Sequence, residues 1–302
     1  MRLFNIFANN ILPILLLSGG AFGLGKAFKL DPRPLGKVIF YIFSPLLVFE
    51  LITTTKLPLD RMAVMTGFTI LSVLLLAGLA FVLGKIFRLE RGPLIAVILT
   101  SLCMNGGNYG LPLVLFAFGQ QALAYASIYF VASMVVLYSV GVLIASLGHL
   151  DLKHAFLGVF KVPAIYAILL ALIFIRTGWT LPEWLQRTVT LAADGAIPAM
   201  LVLLGLELTN VQWSRDLRAV GIPVLIRLVV GPLLGMGLAP LFGLQGPAYQ
   251  AGITENATPT AVMTTILAAE YHLDSTLITA IIFVSTIISP LTLTPLLYFL
   301  GR

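Results

Sequence analysis

Apolar segments of about 20 residues follow one another along the whole chain and are separated by short loops. An α-helix of that length crosses a lipid bilayer. Only 10% of the residues are charged and 59% are hydrophobic, whereas soluble domains carry about a quarter charged residues. The chain could not cover a soluble globule with polar surface, so the sequence predicts an all-α integral membrane protein. We expect ten transmembrane helices, spans 1 to 10, at roughly residues 9–25, 35–53, 63–86, 93–118, 122–147, 155–176, 185–207, 218–242, 247–269 and 274–300.

Two of these spans contain residues that interrupt helices. In span 4, the stretch Thr100–Leu113 (TSLCMNGGNYGLPL) holds two asparagines, three glycines and a proline, and span 9 contains ITENATPTAV at Ile253–Val262. Irregular backbone at membrane depth is tolerated only where protein buries it or where it lines a wet cavity. Broken helices of this kind form the binding sites of many secondary transporters. The sequence therefore predicts two broken helices that together form a site.

An internal repeat relates the two interruptions. Gly92-Pro93 opens span 4 and Gly246-Pro247 opens span 9, 154 positions later, and Thr100 aligns with Thr254 at the same spacing. Each repeat holds five spans, an odd number, so the second copy must enter the membrane upside down. We therefore predict two inverted five-helix repeats, with broken helices 4 and 9 crossing near the midplane.

The basic residues predict the orientation of the chain, whose net charge is +6. Cytoplasmic loops carry an excess of Lys and Arg, so the richer side is assigned to the cytoplasm and both termini to the other side. These charges orient the protein in the bilayer, and no nucleic-acid partner is expected. The side of the N-terminus receives six: Arg2, Lys56, Arg61, Arg176, Arg187 and Arg302. The opposite side receives eleven: Lys26, Lys29, Arg33, Lys37, Lys85, Arg88, Arg91, Lys153, Lys161, Arg215 and Arg218.

The candidate substrate-binding residues come from both interruptions. The start of a helix presents unpaired N–H groups and about half a positive charge, so two such starts in one cavity favour an anion. Asparagine side chains add adaptable donors and acceptors. The alternative is that the glycines only allow close helix packing, with the asparagines bonding across it. The candidates are Asn105, Gly106 and Asn108 in span 4, and Asn256, Thr258 and Pro259 in span 9.

Two charged residues inside spans are candidates for ion coupling or charge balance. An ionised side chain in mid-membrane costs about 2.5–3.5 kcal/mol on insertion scales, so Glu255 should be neutral, paired or solvated. It could carry a coupling proton, bind a cation such as Na⁺, pair with Arg227, or lie beside a water-filled vestibule without a direct role. Arg227 could be a counter-ion for Glu255 or for an acidic substrate, or could snorkel to the cytoplasmic surface. In span 7, Glu207 is expected at a helix end, and Asp194 either reaches the cavity or has a structural role.

The sequence offers no set of residues for catalysis or metal binding. The single cysteine, Cys103, excludes an internal disulfide and a cysteine-based metal cluster. No spacing suits a hydrolase triad, a zinc-binding helix or a dinucleotide fold. We therefore expect neither an enzyme nor a resident cofactor.

The two interruptions resemble those of the auxin efflux carrier family, whose bacterial members include transporters of malonate and malate. The segment Asn105–Leu113 looks like the family's Asn-x-x-x-x-Gly-x-Pro-Leu segment. Ala257-Thr258-Pro259, followed by Ala268-Ala269-Glu270-Tyr271, looks like its ninth-helix segment. The family's crossover asparagine and proline then correspond to Asn105 and Pro259. Plant members carry a proline where this chain has Met104, and a long loop after span 5 that is short here, so the chain resembles the bacterial type.

The resemblance implies a fold similar to that of bile acid sodium symporters. Residues 1–60 and 151–212 (spans 1, 2, 6 and 7) would form a scaffold and a homodimer contact. Residues 61–150 and 213–302 (spans 3–5 and 8–10) would form a moving transport bundle. The implied function is alternating-access transport of a small organic anion across the plasma membrane. Glu255 could couple this transport to H⁺ or Na⁺, and the alternative is an uncoupled uniporter driven by the gradient of the anion itself. The alternative is a membrane receptor or channel that uses the same crossover cavity.

Overall fold

The computed structural model describes residues 2–146, 157, 160–214, 216–271 and 273–301. Within these residues the regular structure is helical apart from one isolated β-bridge. The main helices are α1 (Arg2–Phe28), α2 (Arg33–Thr55), α3 (Leu59–Ile86), α4 (Arg91–Leu102), α5 (Gly106–Ala145), α6 (Pro163–Thr177), α7 (Glu183–Glu207), α8 (Leu217–Phe242), α9 (Gly246–Asn256), α10 (Met263–Glu270) and α11 (Ser275–Leu300).

Seven of these described helices are long and apolar enough to cross a membrane: α1, α2, α3, α5, α7, α8 and α11. The shorter helices α4 and α6 are also apolar. The all-α, multi-pass membrane architecture predicted from the sequence is therefore confirmed. The predicted end of span 5 at residue 147 and the predicted start of span 6 at residue 155 lie outside the described residues.

Helix α5 covers 40 residues, about twice the length that one membrane crossing needs. It is interrupted at Gly119, whose φ of 76° and ψ of −170° are not helical. Glycine adopts this positive φ without the steric cost that a Cβ would impose. Gly119 therefore divides α5 into two helical parts, residues 106–118 and 120–145.

Helices α4 and α9 lie in the interior of the molecule. Every residue from Leu94 to Leu102 is buried, and so is every residue from Ala251 to Asn256. A helix that is buried on all sides is surrounded by other helices and does not face lipid. The two helices that lead into the interruptions are thus enclosed by the rest of the fold.

Candidate functional site

The two interruptions meet in the structure. Met104 and Thr260 form an antiparallel β-bridge between the non-helical segments that follow α4 and α9. The Asn105 N–H donates to the Pro259 carbonyl at 2.7 Å, and the Ala261 N–H donates to the Cys103 carbonyl at 3.0 Å. Each break therefore satisfies backbone groups of the other, which is how non-helical backbone can be tolerated inside a membrane protein.

Side-chain hydrogen bonds also stabilise the contact between the two breaks. The Thr260 hydroxyl donates to the Thr100 carbonyl at 2.9 Å, across the two half-helices. The Thr260 N–H donates to the Ser285 hydroxyl of α11 at 3.2 Å. The crossing segment, defined here as residues 103–105 and 257–262, is therefore tied to α4 and α11 as well as to itself.

The span 4 candidates lie at the start of α5, directly after the first break. Asn105 is buried, and within the described structure its side-chain Nδ2 has no hydrogen-bond acceptor. Gly106 is the first residue of α5, so the positive end of that helix points into the crossing segment. Asn108 is directed elsewhere, because its Nδ2 donates to Glu207 Oε2 of α7 at 3.3 Å.

The span 9 candidates surround the end of α9. Asn256 is fully buried: its Oδ1 accepts from the Tyr129 hydroxyl at 2.6 Å, while its Nδ2 has no acceptor among the described residues. Thr258 is also fully buried, and its hydroxyl donates to the Glu255 carbonyl at 2.8 Å. Pro259 contributes its carbonyl to Asn105, so the helix-breaking residue also joins the two breaks.

Glu255 is fully buried against the first turn of α5. Among the described residues, no donor forms a hydrogen bond with either of its carboxyl oxygens. A Cβ on Gly106 would lie 2.7 Å from Glu255 Oε2, and one on Gly110 would lie 2.6 Å from Oε1. The glycines at these two positions, one helical turn apart, therefore provide the space that the carboxyl group occupies.

Arg227 of α8 is also fully buried, so it does not snorkel to the surface. Its Nε and Nη2 donate to the Thr258 carbonyl at 3.2 and 3.0 Å, and Nη2 also donates to the Glu255 carbonyl at 3.3 Å. These carbonyls lie at the end of α9, where the helix dipole favours a cation. The described contacts of Arg227 are thus to the backbone around Glu255, and its Nη1 has no acceptor among the described residues.

The sequence reasoning missed several partners in this site. Tyr129 holds Asn256 at the end of α9, and Ser285 holds Thr260 in the crossing segment. Both are ordinary residues for a membrane helix, and no sequence signal marks them. Glu50 of α2 is different, because an acidic residue inside an apolar span indicates a functional site from sequence alone. Its Oε1 accepts from the Thr190 hydroxyl of α7 at 2.6 Å.

A cavity of about 650 Å³ lies between α2, α5 and α7, and Leu17 of α1 also lines it. Glu50 and Asp194 line it, but it is not the cavity at the helix breaks that the sequence offered for Asp194, so the role of Asp194 stays a prediction. None of the six predicted substrate-binding residues lines this cavity. Glu207 is the last residue of α7, at a helix end as expected.

Comparison with known proteins places the chain in a family. The family model described as "Membrane transport protein" matches residues 6–297. The chain belongs to this family. The resemblance to auxin efflux carriers is thereby confirmed, and the protein is a multi-pass membrane transport protein.

Individual relatives agree with this assignment. An "Uncharacterized transporter" of Methanothermobacter thermautotrophicus is 25% identical over 287 residues, 94% of each chain. Another, from Methanocaldococcus jannaschii, is 26% identical over 274 residues, 86% of each chain. "Auxin efflux carrier component 8" of Arabidopsis thaliana is 31% identical over 141 residues, 43% of this chain and 38% of the plant protein.

Proposed function

We propose that the protein is a secondary transporter that moves a small organic anion across the plasma membrane by alternating access. The substrate class is a dicarboxylate such as malonate or malate, or an auxin-like carboxylate. The observation that carries the proposal is the contact between the two interrupted helices, made by the Asn105–Pro259 and Cys103–Ala261 backbone hydrogen bonds. Broken helices that meet in the protein interior are the typical construction of a substrate site in secondary transporters.

The described helices fit a ten-span arrangement of two inverted repeats. In this arrangement α4 and residues 106–118 make span 4, residues 120–145 make span 5, and α9 with α10 makes span 9. The remaining spans are α1, α2, α3, α6, α7, α8 and α11. Spans 1, 2, 6 and 7 form the scaffold and the homodimer contact, the other six move as a bundle, and both termini lie outside the cytoplasm.

The chemistry of the crossing segment supports an anion as the substrate. The starts of α5 and α10 both follow a break directly, so two positive helix ends face the crossing segment. Asn105 Nδ2, Asn256 Nδ2 and Arg227 Nη1 are buried donors that have no acceptor within the described residues. A carboxylate would give these donors the acceptors they lack.

The full burial of these donors implies that the substrate enters only when the bundle moves relative to the scaffold. Glu255 is the candidate coupling residue, because its carboxyl group has no described hydrogen-bond donor and can take up a proton or coordinate Na⁺. Arg227 then holds the end of α9 in position by its bonds to the Thr258 and Glu255 carbonyls.

The test is anion uptake into proteoliposomes. Radiolabelled malonate, malate and indole-3-acetate are offered with and without imposed pH and sodium gradients. We expect saturable uptake of at least one of these anions, accelerated by one of the two gradients. Glu255→Gln should retain binding but lose the response to that gradient. Currents that follow voltage at channel rates would support a channel and overturn the proposal.

A further inference from the structure

We propose that the cavity between α2, α5 and α7 binds an organic cation, namely a protonated amine attached to an apolar body. Its volume of about 650 Å³ lies in the range of small-molecule sites, which is about 300–1,000 Å³. None of the six residues proposed to hold the anion lines this cavity, which in the proposed arrangement lies between the scaffold helices α1, α2 and α7 and helix α5 of the bundle.

The charges around the cavity favour a cation. The described residues that line it include two carboxylates, Glu50 and Asp194, and none of them is basic. Glu50 is held in position by the Thr190 hydroxyl at 2.6 Å, and Thr190 lies one helical turn before Asp194 on α7. Residues four apart on a helix are about 5–6 Å apart at their Cβ atoms, so Asp194 follows the anchor of Glu50 by one turn on the same face of α7, and both carboxylates line one cavity.

The cavity has a polar end and an apolar end. Glu50 lies near the end of α2 at Thr55, and Asp194 is in the first half of α7, on the same side of the molecule. Thr54 and Gln120 line the cavity there, and Gln120 directly follows the break at Gly119. Leucines and Phe116 form the rest of the wall, so we expect the apolar body to lie against them and the ammonium group to lie near the carboxylates.

The lining also explains why an amine is preferred to a metal ion. Within the described residues, no group of three or more acidic, histidine or cysteine side chains could hold a metal ion. Most of the cavity wall is apolar, including Leu47, Leu51 and Leu201, and gives a bare ion no ligands. Phe116 offers an aromatic ring, which attracts an organic cation through its π face.

The experiment compares three ligands that share one apolar body and differ in charge. Phenethylammonium, 2-phenylethanol and phenylacetate are titrated by calorimetry into the purified protein in nanodiscs. We expect phenethylammonium to bind at least tenfold more tightly than 2-phenylethanol and phenylacetate to bind no better than the alcohol. Glu50→Gln and Asp194→Asn should each weaken phenethylammonium at least fivefold and leave the alcohol unchanged.

Two further variants separate this site from general effects. Glu183→Gln removes an exposed carboxylate of α7 that pairs with Arg187 and lies outside the cavity lining, so it should bind phenethylammonium as the natural protein does. Leu201→Trp fills the cavity and should abolish binding of both the amine and the alcohol. Tighter binding of phenylacetate, or unchanged amine binding in both carboxylate variants, would overturn the proposal. Neither result depends on the transport assay.

Discussion

Gly110→Ala tests whether the Glu255 carboxyl group occupies the glycine-lined space at the start of α5. Gly110 has ordinary helical backbone angles, φ −67° and ψ −51°, so alanine is compatible with its backbone. The added Cβ would lie 2.6 Å from Glu255 Oε1 and 2.7 Å from the carboxyl carbon. Glu255 Oε2 would be nearer still, and ordinary contacts begin at 3.4 Å, so the carboxyl group must move by more than about 0.8 Å.

The magnitude follows from two opposing effects. Overpacking of a tight interior costs about 1–3 kcal/mol. Replacing a helical glycine by alanine raises the free energy of unfolding by about 0.5–1 kcal/mol, because the unfolded chain loses conformational freedom. We therefore expect Gly110→Ala to lower the free energy of unfolding by about 0.5–2 kcal/mol, measured by reversible SDS titration in mixed micelles.

A control and a double variant identify the cause. Gly78→Ala in α3 adds a Cβ with no atom within 4 Å, so it should leave stability unchanged or raise it. Glu255→Ala removes the obstructing carboxyl group, so Gly110→Ala should cost about 1 kcal/mol less in that background. If the two substitutions were additive within about 0.5 kcal/mol, the carboxyl group would not occupy this space and the reasoning would be refuted.

Three further predictions concern the crossing segment and the adjoining end of α9. Tyr129→Phe leaves the Asn256 Oδ1 without its donor and should cost about 1–3 kcal/mol in SDS unfolding; a cost below 0.3 kcal/mol would contradict the hydrogen bond. Thr260→Val removes the bond to the Thr100 carbonyl and should cost about 1 kcal/mol, with Thr260→Ser restoring most of it; equal stabilities would argue against the bond. Thermal-shift screening should find a carboxylate that stabilises the natural protein but not Asn105→Leu, and equal stabilisation of both would exclude Asn105 from the site.

The sequence was sufficient to predict the membrane class and the position of both breaks. The helix-breaking residues at 105–112 and 256–259 are rare in an apolar span, and the structure ends α4 at Leu102 and α9 at Asn256, inside the predicted stretches. Composition and periodicity could not predict the Met104–Thr260 bridge, because that contact joins residues 156 positions apart through the folding of the intervening helices.

The contacts of buried charged side chains could not be predicted from the sequence either. Arg227 and Glu255 are 28 positions apart, and the sequence suggested a direct pair, counter-ion roles or snorkelling as alternatives. In the structure the guanidinium donates to the carbonyls of Thr258 and Glu255, and its burial excludes snorkelling; a counter-ion role toward a substrate stays a prediction. Glu50 was overlooked although it is an acidic residue in an apolar span, so the rule applied to Glu255 would have found it.

Counterflow in proteoliposomes tests the central claim most directly. Vesicles loaded with an excess of unlabelled substrate anion are diluted into buffer that contains a trace of the labelled anion, and accumulation of the label is followed over time. Alternating access predicts a transient accumulation of label above equilibrium. Each unlabelled anion that leaves the vesicle turns the binding site to the outside, where it can bind a labelled anion and carry it in. If the label instead only equilibrates, at a rate that internal anion does not change, the two meeting helix breaks do not form an alternating-access site.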